Sequence, residues 1–341
     1  MNLPVPKVSV LMPVYNASLY VREAIQSILN QTFTDFELIV VDDASADDSA
    51  SVIRSIHDER IRFVQNHQNK GIVHVRNQLL SYARGAYIAI LDGDDIAYQR
   101  RLEIQVAYLD KNPSFGLLGT WTEVIDKDGT RTGIAWKDTF ASEKIPMMLL
   151  FHNCFTQSSV MLRRVAIPPD GYRQRVELAE DYDLWIRISE KWKCANLPPV
   201  LTAYRRHPEG ITSTAKDRNH AAIETVARDT LTRLGINPEP PEYLIHKTNY
   251  GYGRADIIDF LEKRERWLTR LREANIMKKI YDEMLFSEVL AERWLISCSF
   301  NARGGFSVWK CYWKSPLADS LPLRKNLKEI AKFALKTVLK K

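Results

Sequence analysis

Between residues 8 and 110 an apolar, strand-like run and a segment of helical periodicity follow one another four times. No other feature constrains the fold as strongly. Val8 to Val14 is apolar and β-branched, and Tyr20 to Gln31 then sets Val21, Ala24, Ile25, Ile28 and Leu29 at helical spacing. Phe36 to Val41 is the second strand, after which Ser45 or Asp47 can cap a helix running through Ile56. Ile61 to Val64 and Ala86 to Leu91 are further strands, the latter preceded by a helix from Val73 to Ala83 that Gly85 stops. Arg101 to Asp110 closes the series with Leu102, Val106 and Leu109 on one helical face. Such alternation predicts an α/β fold with a mostly parallel sheet, right-handed crossovers and flanking helices. Ligands of such sheets bind beyond the carboxyl ends of the strands. Three of these ends carry polar or turn-forming groups: Pro13, Tyr15 and Asn16; Asp42 and Asp43; and Asp92, Asp94 and Asp95.

The run Ile90-Leu91-Asp92-Gly93-Asp94-Asp95 delivers three carboxylates after a wholly apolar strand. Asp-Gly alone would make a turn. Three clustered carboxylates repel one another unless a cation sits among them, and hard oxygen ligands suit Mg2+ or Mn2+. Asp94 is the first expected metal ligand. Asp92 is placed to touch a ribose or the metal's water shell, and Asp95 is a further ligand or a helix cap. A divalent cation held there grips a diphosphate. Asp43 either caps a helix or accepts a hydrogen bond from the imide N–H of uracil or thymine, because a carboxylate accepts and does not donate. Arg76 pairs with that carboxylate, stacks on the base or lies on the surface. Glu180-Asp181-Tyr182-Asp183 opens a helix through Leu184, Trp185 and Ile188, where the helix dipole favours acids. The chemical reading makes Asp181 a general base toward an acceptor hydroxyl, with Asp183 supporting the site or turned to the surface. His207 is structural or a further metal ligand, and Arg205 or Arg206 is available to a phosphate. Asp43, Asp94 and Asp181 are expected around one cavity.

Past Phe115 the pattern is irregular. Leu117 to Ile125 and Thr132 to Trp136 read as a hairpin around Lys127-Asp128-Gly129, and Val200 to Arg206 as a strand. A boundary is expected near residue 212, dividing residues 1–212 from a mostly helical extension over 213–341. Helices are expected there at Ala221 to Leu234, Ile257 to Leu271, Met277 to Leu295 and Leu323 to Leu339, with a linker at Pro238, Pro240 and Pro241. The net charge of +6 lies wholly in the last 20 residues, where Arg324, Lys325, Lys328, Lys332, Lys336, Lys340 and Lys341 face one acid, Glu329. The body is neutral, so the high pI says nothing about nucleic acid binding by the main domain, and no nucleic acid partner is expected. The tail reads as an amphipathic helix with a cationic face, either solvated or in peripheral contact with an anionic membrane. No apolar run reaches the roughly 18 to 20 residues of a membrane span. The short polar opening, Met1 to Lys7, and four cysteines without metal-ligand spacing favour a cytoplasmic protein, at most peripheral at the inner face of the membrane.

With these residues in view the chain resembles a family 2 glycosyltransferase of the GT-A, Rossmann-like fold. The resemblance covers about residues 7–210. It rests on Val8-Ser9-Val10-Leu11-Met12-Pro13-Val14-Tyr15-Asn16, Ser27-Ile28-Leu29-Asn30-Gln31-Thr32, Val41-Asp42-Asp43-Ala44-Ser45, Asp92-Gly93-Asp94-Asp95 and Glu180-Asp181-Tyr182-Asp183-Leu184-Trp185 in that order. The resemblance implies a nucleotide-sugar donor, with Pro13, Tyr15, Asp43 and Arg76 on the base and ribose and Asp92 and Asp94 on a divalent ion. It implies inversion at the anomeric carbon with Asp181 as base. It also implies a glycan or lipid-linked acceptor in polysaccharide, glycolipid or cell-surface glycan assembly. The region after 212 lies outside it. A dehydrogenase would need a Gly-rich turn after the first strand, where Pro13-Val14-Tyr15-Asn16-Ala17 has none. A sugar-nucleotide uridylyltransferase would need a Gly-rich phosphate loop near the N-terminus. A non-catalytic carbohydrate-binding or scaffold protein on the same fold is the remaining alternative, and the retained acidic clusters argue against it.

Overall fold

The structure, a computed structural model, describes residues 5–249 and 257–339, and of residues 323–325 and 339 the backbone alone. Lys340 and Lys341 of the expected cationic helix therefore lie outside the described residues, as do the side chains of Arg324 and Lys325.

The chain runs β1 (Val8–Val14), α1 (Val21–Leu29), β2 (Phe36–Asp42), α2 (Ser49–Arg54), β3 (Ile61–Gln65), α3 (Ile72–Tyr82), β4 (Tyr87–Ile90), β5 (Ile96–Ala97) and α4 (Arg101–Lys111). β6 (Phe115–Ile125) and β7 (Arg131–Trp136) form the expected hairpin. α5 (Ile145–Met148), β8 (Met161–Arg163), α6 (Glu180–Ser189), β9 (Lys193–Arg205), α7 (Ile211–Thr214) and α8 (Lys216–Arg233) follow. The sheet order is β3-β2-β1-β4-β8-β6-β9-β5, with β7 on β6. β3, β2, β1 and β4 pair in parallel, whereas β8 is antiparallel to both β4 and β6. Every residue of β1, β2 and β4 is buried, as expected of strands covered on both faces. Val21, Ala24, Ile25 and Ile28 form the buried stripe of α1. β5 and β8, of two and three residues, are too short to show a period in sequence. The cap expected of Ser45 is not formed. Ser45 turns back to bond Asp42, while Asp47 accepts from Ser49 N at 3.0 Å.

By internal packing the chain divides into two compact units, Met1–Leu149 with Asn153–Val226, and Leu150–His152 with Ala227–Lys341. The division falls inside α8 rather than at residue 212. The first turns of α8 are tied into the sheet unit, because Asn219 Nδ2 donates to Leu178 O at 2.6 Å and Arg218 pairs with Glu177 at 2.9 Å. The second unit contains α9 (Pro240–Lys247), α10 (Ile257–Lys278), α11 (Glu283–Phe300), α12 (Phe306–Lys314) and α13 (Leu323–Leu339). The helix expected from Met277 to Leu295 is broken. Lys279 adopts φ +54°, and Asp282 caps α11 by accepting from Leu285 N at 2.9 Å. α9 and α12 were not legible in the pattern. This unit encloses a polar knot. His246 Nε2 lies 2.9 Å from Leu150 O, and its Nδ1 accepts from Trp267 Nε1 at 3.1 Å. Burial, reinforced by the neighbouring Arg264 charge, holds the His246 imidazole neutral, its pKa pushed down to about 3.

Candidate active site

Two adjoining cavities open at the carboxyl edge of the parallel strands. The first, of about 380 Å3, collects Pro13, Tyr15 and Asn16 from the end of β1, and Asp43 from the end of β2. Arg76 of α3, Asp92 and Asp94 after β4, and His207 after β9 complete it. The second, of about 410 Å3, holds Asp181 on the first turn of α6, with Asn153 and Glu180. This corrects the expectation of one cavity: Asp43 and Asp94 line the first and Asp181 the second. The two share a wall formed by Ile72, Arg76, Asp92, Leu178 and Ile211.

The loops that carry the first cavity are locked to one another. Asn16 and Ala44 both adopt left-handed backbone, φ +49° and +58°. Asn16 N donates to Ser45 Oγ at 2.8 Å, and Asn16 Oδ1 accepts from Ala46 N at 2.8 Å, so Asn16 clamps the ends of β1 and β2 together. Gly93 lets the acidic turn lie close against the end of β1, since a Cβ there would meet Val14 Cγ2 at 3.1 Å and Pro13 O at 3.2 Å. Behind the acidic turn the buried Arg101 donates to Ile90 O at 2.8 Å and Val160 O at 2.9 Å. In sequence Arg101 only opened a helix.

Asp43 accepts from Asn66 Nδ2 at 2.8 Å and from the backbone N–H groups of Lys70 and Gly71, each at 2.9 Å. Three of the roughly four lone-pair sites of a carboxylate are thus taken, which leaves one for a ligand. Arg76 does not pair with Asp43. Its Nη1 lies 3.0 Å from Glu180 Oε1 and its Nη2 3.4 Å from Asp92 Oδ1, so it bridges the two acidic motifs across the shared wall. Its Nε is buried with no hydrogen-bond partner. Burial alone would lower the Arg76 pKa, but Asp92 and Glu180 hold it above its ordinary value. Burial pushes Asp92 up to about 6; Arg76 opposes the shift, and the charges of Asp94 and Glu180 add to it. Asp95 is neither ligand nor cap: it is buried and accepts from Arg205 N at 2.8 Å. Arg205 is likewise buried and spent inside the protein, on Asp94 O at 2.9 Å and Glu23 at 2.6 Å, and does not present itself to a phosphate.

His207 Nε2 lies 3.0 Å from Asp94 Oδ2, and its Nδ1 lies 3.2 Å from Glu209. The hydrogen bond to Asp94 raises the His207 pKa. Among the described residues no three carboxylates, imidazoles or thiolates converge on a point that would hold a metal, and the expected trio of Asp92, Asp94 and His207 is not assembled. Asp92 is drawn to Arg76 instead. Asp94 and His207, side by side, would offer one carboxylate and one imidazole to a divalent cation that takes its other ligands from water and a diphosphate.

Asp181 Oδ2 accepts from Asn153 Nδ2 at 3.1 Å and Oδ1 from Tyr182 N at 2.7 Å. Its pKa is pushed up to about 6, first by burial and then by the charge of Glu180. Asp183 does not enter either cavity. It pairs with Arg187 at 2.8 Å and so braces α6. Sequence reasoning missed Asn153, Ser158 and Leu178, and named Glu180 in the acidic motif without giving it a role. Ser158 Oγ accepts from Asp92 N at 3.0 Å, and Leu178, at φ +77°, lines both cavities. Nothing in one dimension pointed Glu180 at Arg76.

A parallel half-sheet with an acidic carboxyl edge, extended by a mixed half whose helix α6 opens on a second acidic motif, is the architecture of the GT-A glycosyltransferases. Residues 9–167 match the model of glycosyl transferase family 2. The chain is 38% identical over 207 residues to EpsE of Bacillus subtilis (strain 168), itself provisionally named a glycosyltransferase, covering 59% of this chain and 73% of EpsE. It is 33% identical over 209 residues to WfgD of Escherichia coli, covering 60% of this chain and 79% of that protein. WfgD is named as the UDP-Glc:alpha-D-GlcNAc-diphosphoundecaprenol beta-1,3-glucosyltransferase. Among solved structures, TarS residues 1–349 of S. aureus in complex with UDP-GlcNAc shares the fold with a TM-score of 0.56 at 18% identity, over 90% of this chain and 92% of that one. The chain belongs to glycosyl transferase family 2 and is an enzyme of the glycosyltransferase class.

Proposed function

We propose that the chain moves a sugar from a nucleotide diphosphate sugar, a UDP-sugar, to a hydroxyl of a glycan or lipid-linked acceptor in cell-surface polysaccharide synthesis, with inversion. The observation that carries this reading is the shared wall. The donor side, with Asp43, Asp94 and His207, and the base side, with Asp181, are separate cavities joined through Arg76 and Asp92. In this reading Pro13, Tyr15 and Asp43 receive the base and ribose, and the free lone pair of Asp43 accepts the uracil imide N–H. The complex of TarS with UDP-GlcNAc and the UDP-glucose donor in the name of WfgD support the choice of UDP. The diphosphoundecaprenol acceptor of WfgD supports a lipid-linked acceptor, and so a reaction at the inner membrane face with the basic C-terminal helix in peripheral contact.

In the reaction Asp181 takes the proton of the acceptor hydroxyl as its oxygen attacks the anomeric carbon. The bond from that carbon to the diphosphate breaks on the opposite face, and the nucleoside diphosphate leaves with the electron pair. Asp94 and His207 would hold a divalent cation, which would neutralise the charge that grows on the leaving group. Asn153 and Tyr182 N fix the carboxylate of Asp181 while leaving lone pairs for the incoming proton.

Screening UDP-, GDP- and dTDP-sugars for manganese-dependent protection against thermal unfolding tests the donor. UDP-sugars are expected to protect, and Asp94→Ala to abolish the metal-dependent part of the shift. An unchanged shift in that variant removes Asp94 from the metal. Metal-dependent hydrolysis of the UDP-sugar separates an enzyme from a scaffold, which would show none. The pH dependence is a further test. Only the carboxylate form of a base accepts a proton, so turnover is expected to rise as pH climbs through about 6 and to level above it. Asn153→Ala removes a hydrogen bond that favours the charged form, so the midpoint moves upward and the rate at pH 6 falls. A midpoint that stays in place would detach Asn153 from the titrating group.

A further inference from the structure

α13 presents two apolar faces, and only one is used by the fold. Ile330, Phe333 and Thr337 turn inward, with Phe333 packed on Trp309 at 5.2 Å and Tyr312 at 5.5 Å between ring centroids. Leu327, Ala331, Leu335 and Val338 recur at i, i+4, i+8 and i+11 and form a second stripe, roughly a third of a turn around the helix from the first. This stripe is open to solvent: Leu327 is 62% exposed, Leu335 60% and Val338 78%. Lys328, Lys332 and Lys336 run alongside it, one residue further on at each turn, and all three are exposed. Further exposed apolar side chains belong to the same helical unit. Lys336 Nζ reaches Ser299 Oγ at 3.3 Å, beside Phe300, and α13 packs on the turn Ala302–Gly304. Phe300 and Phe306 flank that turn and are 63% and 76% exposed.

We propose that this surface docks the helical unit onto an anionic lipid bilayer, with Leu327, Leu335, Val338, Phe300 and Phe306 entering the interface and Lys328, Lys332 and Lys336 meeting the headgroups. This deepens the membrane-face part of the function proposed above by naming the residues that make the contact. An apolar stripe edged by a row of lysines is the chemistry of a helix lying in the plane of a negatively charged surface. A second copy of the chain is the poorer occupant, because pairing stripe to stripe brings two lysine rows together. A soluble acidic protein would meet the lysines but has no need of five large exposed apolar side chains.

The full chain should co-sediment with vesicles rich in phosphatidylglycerol and remain in solution with vesicles of phosphatidylcholine alone. Replacing Leu327, Leu335 and Val338 by Ser keeps every charge and is expected to weaken partitioning at least about tenfold, as is K332E with K336E. Thermal melting of each variant checks that the unit remains folded. UDP-sugar protection of the protein in the absence of vesicles should be the same in all of them, which keeps the outcome separate from the fate of the donor reading. Equal binding to neutral and anionic vesicles, or no binding to either, overturns the proposal. So does light scattering that shows a dimer lost on the three serine substitutions, which would assign the stripe to a second copy.

Discussion

Asp181→Asn is expected to lower turnover by roughly 10²- to 10⁴-fold, the usual scale of a positioned general base, while donor affinity stays within a few-fold. The separation of the cavities is the reason for the split. Asp181 lines the cavity that does not contain Asp43, Asp94 or His207, so loss of its charge removes the proton acceptor and leaves the donor pocket intact. The amide keeps the size of the side chain and can be held by Tyr182 N, so the fold of α6 is preserved. The measurement is transfer kinetics beside donor-induced thermal shift. Wild-type turnover would remove Asp181 from the reaction, and loss of donor protection would mean that the shared wall had collapsed.

Arg76→Met is expected to destabilise the sheet unit by about 3–5 kcal/mol, the cost of leaving buried charges without their partner. Arg76 is the cation that faces Asp92 and Glu180 together, and Asp181 also feels its charge. The variant should lose donor binding and transfer at once, because the wall common to both cavities is anchored by this residue. The pH dependence gives the sign. Asp92 in the folded protein already titrates at about 6, above the 3.8 of a free carboxyl, so its charged form is the costly one. Removing Arg76 raises that value further. The stability gap between variant and wild type is therefore widest at high pH and narrows as pH falls through about 6 and the carboxyl is neutralised. Denaturant melts at pH 8 and pH 5 measure this, and a gap that is independent of pH would show that the charge network is not what Arg76 supports. Arg76→Lys should recover only part of the loss, because one ammonium group cannot span two carboxylates as the guanidinium does.

Of the fold, the parallel half was legible almost residue by residue. Val8–Val14 and Phe36–Asp42 are continuous apolar runs because both faces of those strands are covered, and the stripe of α1 repeats with the helical period. The antiparallel half was only partly readable. β8 has three residues and sits between β4 and β6 although it follows both in sequence, and no local pattern encodes such a partnership. In the helical unit Lys279 and Asp282 end one helix and start the next within a few residues, which an apolar period runs straight through. At the site, strand ends announced Asp43, Asp92 and Asp94. They did not announce that Asp95 and Arg205, equally polar and equally close to the edge, are spent inside the protein, Asp95 on the Arg205 backbone N–H and the Arg205 guanidinium on Asp94 O and Glu23.

By itself the sequence determined the order of strands and helices in the parallel half, the edge of the sheet that carries the acids, and the family to which the chain belongs. These rest on side-chain period and on short motifs, which are local properties. Only the tertiary structure decided which charges face one another. Arg76 chose Glu180, 104 positions away in the chain, over Asp43, and Asp94 met His207 rather than Asp92. Pairing of this kind follows from distance in a low-dielectric interior, where a few ångströms outweigh any spacing along the chain. For the same reason the second apolar stripe of α13 became visible only once packing had claimed the first.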